Sequence, residues 1–231
     1  MLKVEELNQF YGQSHTLWDL SIELESEKTT CIMGRNGVGK TTLAKSIMGL
    51  LPLKSGKIIY DGVDIAPLSS DKRAGLGIGY VPQGREIFSN LSVKENLEIG
   101  LLGNRNRLKK VPEKIYELFP VLKDMLKRKG GDLSGGQQQQ LAIGRALCLE
   151  PKLLILDEPS EGIQPNIVQQ IGGVIDYLTK EEQLTVMIVE QKLPFARKYG
   201  DNFYILERGS VVAGGEMEEL DDTIVKQYLS V

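Results

Sequence analysis

The run Gly34-Arg35-Asn36-Gly37-Val38-Gly39-Lys40-Thr41 constrains this chain more than any other. It places three glycines and a lysine between an apolar strand-like stretch, Thr30 to Met33, and an amphipathic stretch beginning at Thr42. A loop of this spacing closes a strand and opens a helix, so that backbone N–H groups gather at a helix start. Glycine at 34, 37 and 39 lets the chain curl until successive N–H groups converge on one point. Such a nest suits the β- and γ-phosphates of a nucleoside triphosphate, with Lys40 adding a point charge and Thr41 a hydroxyl for Mg²⁺. Asn36 and Thr42 belong to the same candidate site. A glycine-rich turn without a ligand matches the same pattern, but the flanking strand and helix argue against it.

Further along, Leu153-Leu154-Ile155-Leu156-Asp157-Glu158 reads as an apolar strand ending in two carboxylates. Beside a phosphate loop, Asp157 is the candidate to hold Mg²⁺, and Glu158 to polarise an attacking water as general base. Alone, the pair would read as solubilising acids at a strand end. A third run, Leu133-Ser134-Gly135-Gly136-Gln137, precedes helical spacing of Ala142, Ala146 and Leu149. Ser134 suits an N-cap, and Gly135 and Gly136 expose N–H groups at a second helix start. One nucleotide does not need two such cradles in one subunit, so the expectation is a head-to-tail dimer, each triphosphate clamped by Gly34–Thr41 of one copy and Ser134–Gln137 of the other.

The remaining chain reads as α/β. Leu20, Ile22 and Leu24 alternate with Ser21, Glu23 and Glu25, a strand with one wet face, and Lys57 to Tyr60 before Asp61-Gly62 reads as another. From Leu91 to Lys129 the spacing is mainly helical, punctuated by Pro112 and Pro120. Leu153–Leu156 and Thr185–Val189 are continuous apolar runs suited to a parallel sheet covered on both faces, and Phe203 to Ala213 reads as a terminal hairpin. The fold class expected is a phosphate-loop NTPase core with a mainly parallel sheet, an N-terminal antiparallel β subdomain and a helical subdomain. In residue numbers, 1–231 is one domain: 1–83 and 150–231 form the core, and about 84–149 the helical part carrying the Ser134 motif.

Composition narrows the partners. In 231 residues, 28 basic against 31 acidic side chains give a net charge of −3, which creates no global field for nucleic acid or an anionic membrane. The basic groups Arg105, Arg107, Lys109, Lys110 and Lys127, Arg128, Lys129 lack interleaved aromatics and read as exposed faces. Glu216, Glu218, Glu219, Asp221 and Asp222 read as a solvated helix start. Cys31 and Cys148 belong to no metal-binding spacing and are expected as buried reduced thiols of a cytosolic protein. Lys3, Glu5 and Glu6 break up any secretory signal, and no apolar run approaches the about 20 residues of a membrane span.

Phosphate loop, Leu-Ser-Gly-Gly-Gln and Asp157-Glu158, in this arrangement, resemble the ATP-binding cassette family, whose signature is that pentapeptide. The resemblance spans essentially the whole chain. It implies an ATPase that closes on ATP and Mg²⁺, reopens after hydrolysis, and drives transmembrane permease subunits from the cytoplasmic face of the membrane. By the same resemblance Tyr11 stacks on adenine, although a core tyrosine or Phe10 would read alike, and Gln83 reaches Mg²⁺ and the water. Glu86, Phe88 and Leu91 are candidates for the permease groove, or for a simple loop.

Two positions depart from the family. Gln191 stands where many members have histidine at the γ-phosphate, so it should position rather than share charge; the single histidine, His15, reads as a surface residue. Gln164 replaces the usual aspartate after Ile163, which puts cross-talk between the two sites in doubt.

Gly34 to Val38, Gly136 to Arg145, Glu161-Gly162-Ile163-Gln164-Pro165 and Val189-Glu190-Gln191 together resemble the second ATPase subunit of importers for branched-chain amino acids, and within that group the glutamine run and Glu161 to Pro165 are most similar to the urea importer subunit. A substrate-binding protein is then an indirect partner. The rival classes are a soluble cassette ATPase acting on DNA or the ribosome, and a single-site nucleotide kinase. Against them stand the lack of sustained heptads between Lys40 and Ser134, the single cassette, and the Ser134 motif itself.

Overall fold

The structure, a computed structural model, describes residues 1–104 and 106–229; Arg105 of the first basic group lies outside the described residues. The chain opens with a hairpin of β1 (Leu2–Tyr11) and β2 (Ser14–Leu24), in which Leu20, Ile22 and Leu24 face the core and Ser21 and Glu23 face solvent. Bulges at Glu6 (φ 47°) and Asp19 (φ 42°) shift the register between Val4 and Leu7. β3 (Thr29–Met33) then runs into α1 (Lys40–Ile47). The helix begins at Lys40, two residues ahead of the expected start at Thr42, because Gly39 at φ 109° turns the chain into it. β4 (Ser55–Tyr60) and β5 (Val63–Asp64) meet across Asp61-Gly62, both left-handed, and complete an antiparallel sheet ordered β2-β1-β4-β5.

After α2 (Ser70–Gly75) and β6 (Ile78–Val81), the described residues before the next strand form the α-helices α3 (Val93–Leu101), α4 (Glu113–Leu118), α5 (Pro120–Asp124) and α6 (Gly135–Leu147), with a short 3-10 turn at Gly130–Asp132. The chain continues with β7 (Leu153–Asp157), α7 (Pro165–Lys180), β8 (Thr185–Val189), α8 (Leu193–Tyr199), β9 (Asn202–Glu207) and β10 (Ser210–Glu216), and short helical turns follow from Met217 to Leu229. The second sheet is ordered β10-β9-β3-β8-β7-β6 and is parallel except for β10. Its central strands are buried throughout because both faces are covered. Cys31, Met33, Leu154, Leu156, Val186 and Ile188 pack toward α6, α7 and α8. Ile32, Leu153, Ile155, Met187 and Val189 pack toward α1 and the antiparallel sheet.

Two polar side chains pin this scaffold from within. Arg73 of α2, 2% exposed, donates to the carbonyls of Ser46 and Ile47 at 2.7 Å, Ala66 at 2.8 Å and Leu68 at 2.9 Å. A cation thus satisfies the carbonyl end of α1, opposite the phosphate loop. Buried Asn96 of α3 accepts from the Phe88 amide at 2.8 Å and donates to the Phe88 carbonyl at 3.0 Å, fixing the segment before α3.

Cys31 and Cys148 are free, fully buried thiols. His15, expected at the surface, is instead half-buried: it stacks between Phe10 (4.0 Å) and Trp18 (3.6 Å), with Nε2 2.8 Å from Asn8 Oδ1. In the acidic tail, Asp221 accepts from the amides of Thr223 and Ile224 and caps a closing turn. Among the described residues no helix is long and apolar enough to cross a membrane.

Candidate active site

Four parallel strands deliver their C-terminal ends to one edge of the sheet, where crevices form in open α/β folds. Ile32 of β3 and Asp157 of β7 both pair with Val189 of β8, and Val81 of β6 pairs with Leu156. Beyond those ends stand Gly34, Gln83, Asp157-Glu158 and Glu190-Gln191.

The loop from Gly34 to Thr41 needs its glycines for two reasons. A Cβ on Gly34 would sit 2.4 Å from the Leu206 carbonyl oxygen, and on Gly39 2.7 Å from Leu17 Cδ2, whereas Gly37 has open space but a φ of 78°. Lys40 is buried, and its ammonium donates to the carbonyls of Gly34 and Arg35 at 2.9 Å each. Burial pulls its pKa down, against the raising effect of Glu158 and Asp157. Gly39 offers no capping side chain and the first turn of α1 carries no acid, so the amides of Lys40, Thr41 and Thr42 remain open donors. α1 thus lacks the capping boxes that α3 and α6 carry, Ser92/Glu95 and Ser134/Gln137, each of which takes only the N-cap and third-position amides of its helix.

Asp157 is 1% exposed; the Thr41 hydroxyl donates to Oδ1 at 3.1 Å and the Tyr80 hydroxyl to Oδ2 at 3.3 Å. Burial raises its pKa, and the two hydroxyls only partly offset that. Glu158 is held in the left-handed region, φ 51°, with its amide on the Val189 carbonyl at 2.8 Å. Gln83 donates to its Oε2 at 3.0 Å and Gln191 to its Oε1 at 2.6 Å. Each amide nitrogen has a second acceptor: Glu161 Oε2 at 3.1 Å for Gln83, and Asn36 Oδ1 for Gln191. The amide of Gln191 therefore faces the phosphate loop with both hydrogens committed.

Ser134 caps α6: its hydroxyl accepts from the Gln137 amide, while Gln137 Oε1 accepts from the Ser134 amide at 2.9 Å. Gly135 and Gly136 keep the open donors of that helix start. Ser134 to Gln137 line a cleft of about 970 Å³ with residues of α4, α5 and α7, including Glu117 and Tyr177, and no residue of the Gly34–Thr41 loop lines it. Tyr11, 48% exposed at the end of β1, stands on the hairpin whose Thr16 and Leu17 pack against Gly39.

Four residues that sequence reasoning did not single out complete the edge. Buried Glu190 accepts from the amides of Gln191 at 2.8 Å and Lys192 at 3.0 Å, and Lys192 donates to the Ser160 carbonyl at 2.8 Å. Arg85 donates to the Glu161 carbonyl at 3.2 Å and packs on Gly135. Arg145 of α6 donates to the Glu86 carbonyl at 2.9 Å and lies over the Phe88 ring, bracing a left-handed run at Gly84, Arg85 and Glu86. A carboxylate directly after an all-apolar strand was the available signal for Glu190; the others had none.

The glycine nest at an uncapped helix start, set beside a buried carboxylate on a parallel sheet, defines a phosphate-loop nucleotide-binding protein. Residues 17–161 match the sequence profile of the ABC transporter family. The chain is 41% identical to the high-affinity branched-chain amino acid transport ATP-binding protein BraG of Pseudomonas aeruginosa, covering 92% of this chain and 91% of BraG. It is 37% identical to the probable branched-chain amino acid transport ATP-binding protein LivF of Archaeoglobus fulgidus, covering 95% and 94%. The ADP conformation of MJ1267, an ATP-binding cassette of an ABC transporter, superposes with a TM-score of 0.83 at 29% identity, covering 98% of this chain and 97% of that one. The chain belongs to the ABC transporter family and is an ATPase.

Proposed function

We propose that this chain is the ATP-hydrolysing, energy-coupling subunit of a membrane importer, working head to tail with a second cassette subunit on the cytoplasmic face of the membrane. The observation that carries the reading is the pair of open helix starts, at Lys40 and at Gly135, which face different surfaces of one chain. Each nucleotide is then held by the Gly34–Thr42 cradle, with Asn36 and Lys40, of one copy and by Ser134 to Gln137 of the other. Tyr11 stacks on the base.

Mg²⁺ suits the residues present. The hydrogen-bond partners of buried Asp157 are two hydroxyls, not a cation. Among the described residues no cluster of three or more His, Cys, Asp or Glu could hold a metal by itself, which fits an ion that keeps waters and phosphate oxygens in its shell. Thr41, Asp157 and Gln83 would hold it, and the chemistry it would supply there is neutralisation of phosphate charge. Glu158 takes the proton from the attacking water, Gln83 and Gln191 hold its two oxygens, and Gln191 exchanges its bond to Asn36 for one to the γ-phosphate.

Residues 84–149 form the part that moves, and Glu86, Phe88 and Leu91 beside Gln83 meet the permease subunits; Phe88 is half-exposed there. A substrate-binding protein feeds the permease. Urea is the transported molecule on the resemblance of Glu161 to Pro165 and the glutamine run to the urea importer subunit. Branched-chain amino acids are the second reading, favoured by the names of the relatives. Glu158→Gln in the assembled complex should abolish turnover, keep ATP binding, and trap a closed dimer visible by light scattering. Substantial residual ATPase activity, or a triphosphate enclosed by a single copy, would overturn the mechanism; uptake of urea against leucine in cells lacking this subunit decides the substrate.

A further inference from the structure

Glu161 stands outside the machinery just described, yet it shares an amide with it. The two N–H donors of Gln83 are divided between two carboxylates, Glu158 Oε2 at 3.0 Å and Glu161 Oε2 at 3.1 Å. A primary amide has two donor hydrogens on nitrogen and an acceptor oxygen at the other end. With both hydrogens fixed on carboxylates, the only free end of Gln83 is its carbonyl oxygen, the end a hard cation accepts.

The position of Glu161 is itself fixed. Its amide donates to the Glu158 carbonyl at 3.1 Å, closing a turn directly after β7, and its carbonyl accepts from Arg85 at 3.2 Å. The preceding residue, Ser160, is held through its carbonyl by Lys192 at 2.8 Å. One bond within the turn and two from other segments, Arg85 and Lys192, therefore seat it, and Arg85 comes from the same segment as Gln83.

We propose that Glu161 is a positioning residue that sets the orientation of the Gln83 amide, so that its oxygen and not its nitrogen faces the divalent cation. The proposal rests on the reading of Gln83 as a cation-facing residue. With Glu161 absent, only the bond to residue 158 opposes a flip, so the state that turns the amide nitrogen toward the ion, where it cannot coordinate, costs one hydrogen bond instead of two.

The test is Mn²⁺ binding by electron paramagnetic resonance, with a non-hydrolysable ATP analogue on the Glu158→Gln background. Wild-type Glu161 in that background should bind Mn²⁺ in a nucleotide-dependent way; failure there sinks the cation reading and not this inference alone. Given that binding, Glu161→Ala should weaken Mn²⁺ by about three- to tenfold, the loss of part of one charge-assisted hydrogen bond. Metal-free analogue affinity and thermal midpoint should stay unchanged. Glu161→Gln, whose carbonyl still accepts from Gln83, should restore most of the affinity. Unchanged Mn²⁺ affinity in Glu161→Ala would overturn the proposal, and so would an equal loss of metal-free nucleotide binding or a failure of Glu161→Gln to rescue.

Discussion

The hydroxyl of Thr41, in the first turn of α1, donates to the buried carboxylate of Asp157 at the end of β7, across 3.1 Å and 116 positions of sequence. It joins the phosphate cradle to the candidate metal ligand, and it stabilises a charge that burial opposes. Because the folded-state pKa of Asp157 is raised, the native state retains its proton at a pH where the unfolded chain has lost it. Its contribution to stability therefore falls as pH rises from the ordinary carboxylate range through the raised value, and levels off above. Asp157→Asn removes the ionisation while keeping an acceptor for Thr41. The nucleotide-free variant should melt about 2–4 °C higher at neutral pH, the shift that about 1 kcal/mol gives in a chain of this size, and should lose Mg²⁺-dependent ATPase activity. Calorimetry across pH checks both sign and window; a lower midpoint would refute the burial argument.

Arg73 spends a buried charge on four carbonyls and no carboxylate within hydrogen-bonding range. Arg73→Met should cost about 2–4 kcal/mol by leaving buried acceptors unmet at the end of α1. Arg73→Lys, with a charge but no planar fork, should fall between. Urea denaturation measures this; a midpoint equal to wild type would mean that water replaces the guanidinium at no cost.

Ser134→Ala removes the hydroxyl half of a capping box, worth about 1 kcal/mol of helix stability. Since Ser134 shares no lining with the Gly34–Thr41 loop, nucleotide affinity of the isolated chain should not change, whereas ATP-driven pairing of two cassettes should weaken by more than the stability loss explains. Comparing fluorescent-nucleotide titration with sedimentation separates the two. Equal losses in both assays would place Ser134 on the nucleotide of its own copy.

Tyr11 and Phe10 are neighbours with different surroundings: Phe10 stacks on His15, and Tyr11 is half-exposed. Tyr11→Ala should weaken ATP by about tenfold, within the range for one base on one aromatic ring, and Tyr11→Phe should not. Inorganic triphosphate, which has no base, should bind both variants alike; a matching loss for triphosphate would assign the effect to the loop.

Motifs whose physics is local were legible before any coordinates. The spacing of Gly34, Gly37, Gly39 and Lys40, the apolar run into Asp157, and Ser134 ahead of Gly135-Gly136 each encode a conformation within a few residues. The alternation in β2 and the unbroken apolar runs of β7 and β8 assigned those strands to the correct sheets because burial on one face or two dictates the pattern. Contacts between distant segments were not legible. Glu161 meets Gln83 across 78 positions, and Lys192 meets Ser160 across 32. Arg73 looks like an ordinary surface charge on a short helix, and only the packing of α2 against the end of α1 reveals otherwise. His15 was misplaced for the same reason: its aromatic neighbours, Phe10 and Trp18, stand on either side of a hairpin.

Both thiols are sealed inside the protein, Cys31 in the central strand and Cys148 after α6, and burial pushes the Cys148 thiol up to about 12. The native fold is in effect silent toward maleimides and disulfide reagents at neutral pH. A single cysteine introduced on the exposed rim of the Ser134 cleft would accept a spin label or dye by itself, so opening and closing could be followed without first stripping the chain of its own sulfur.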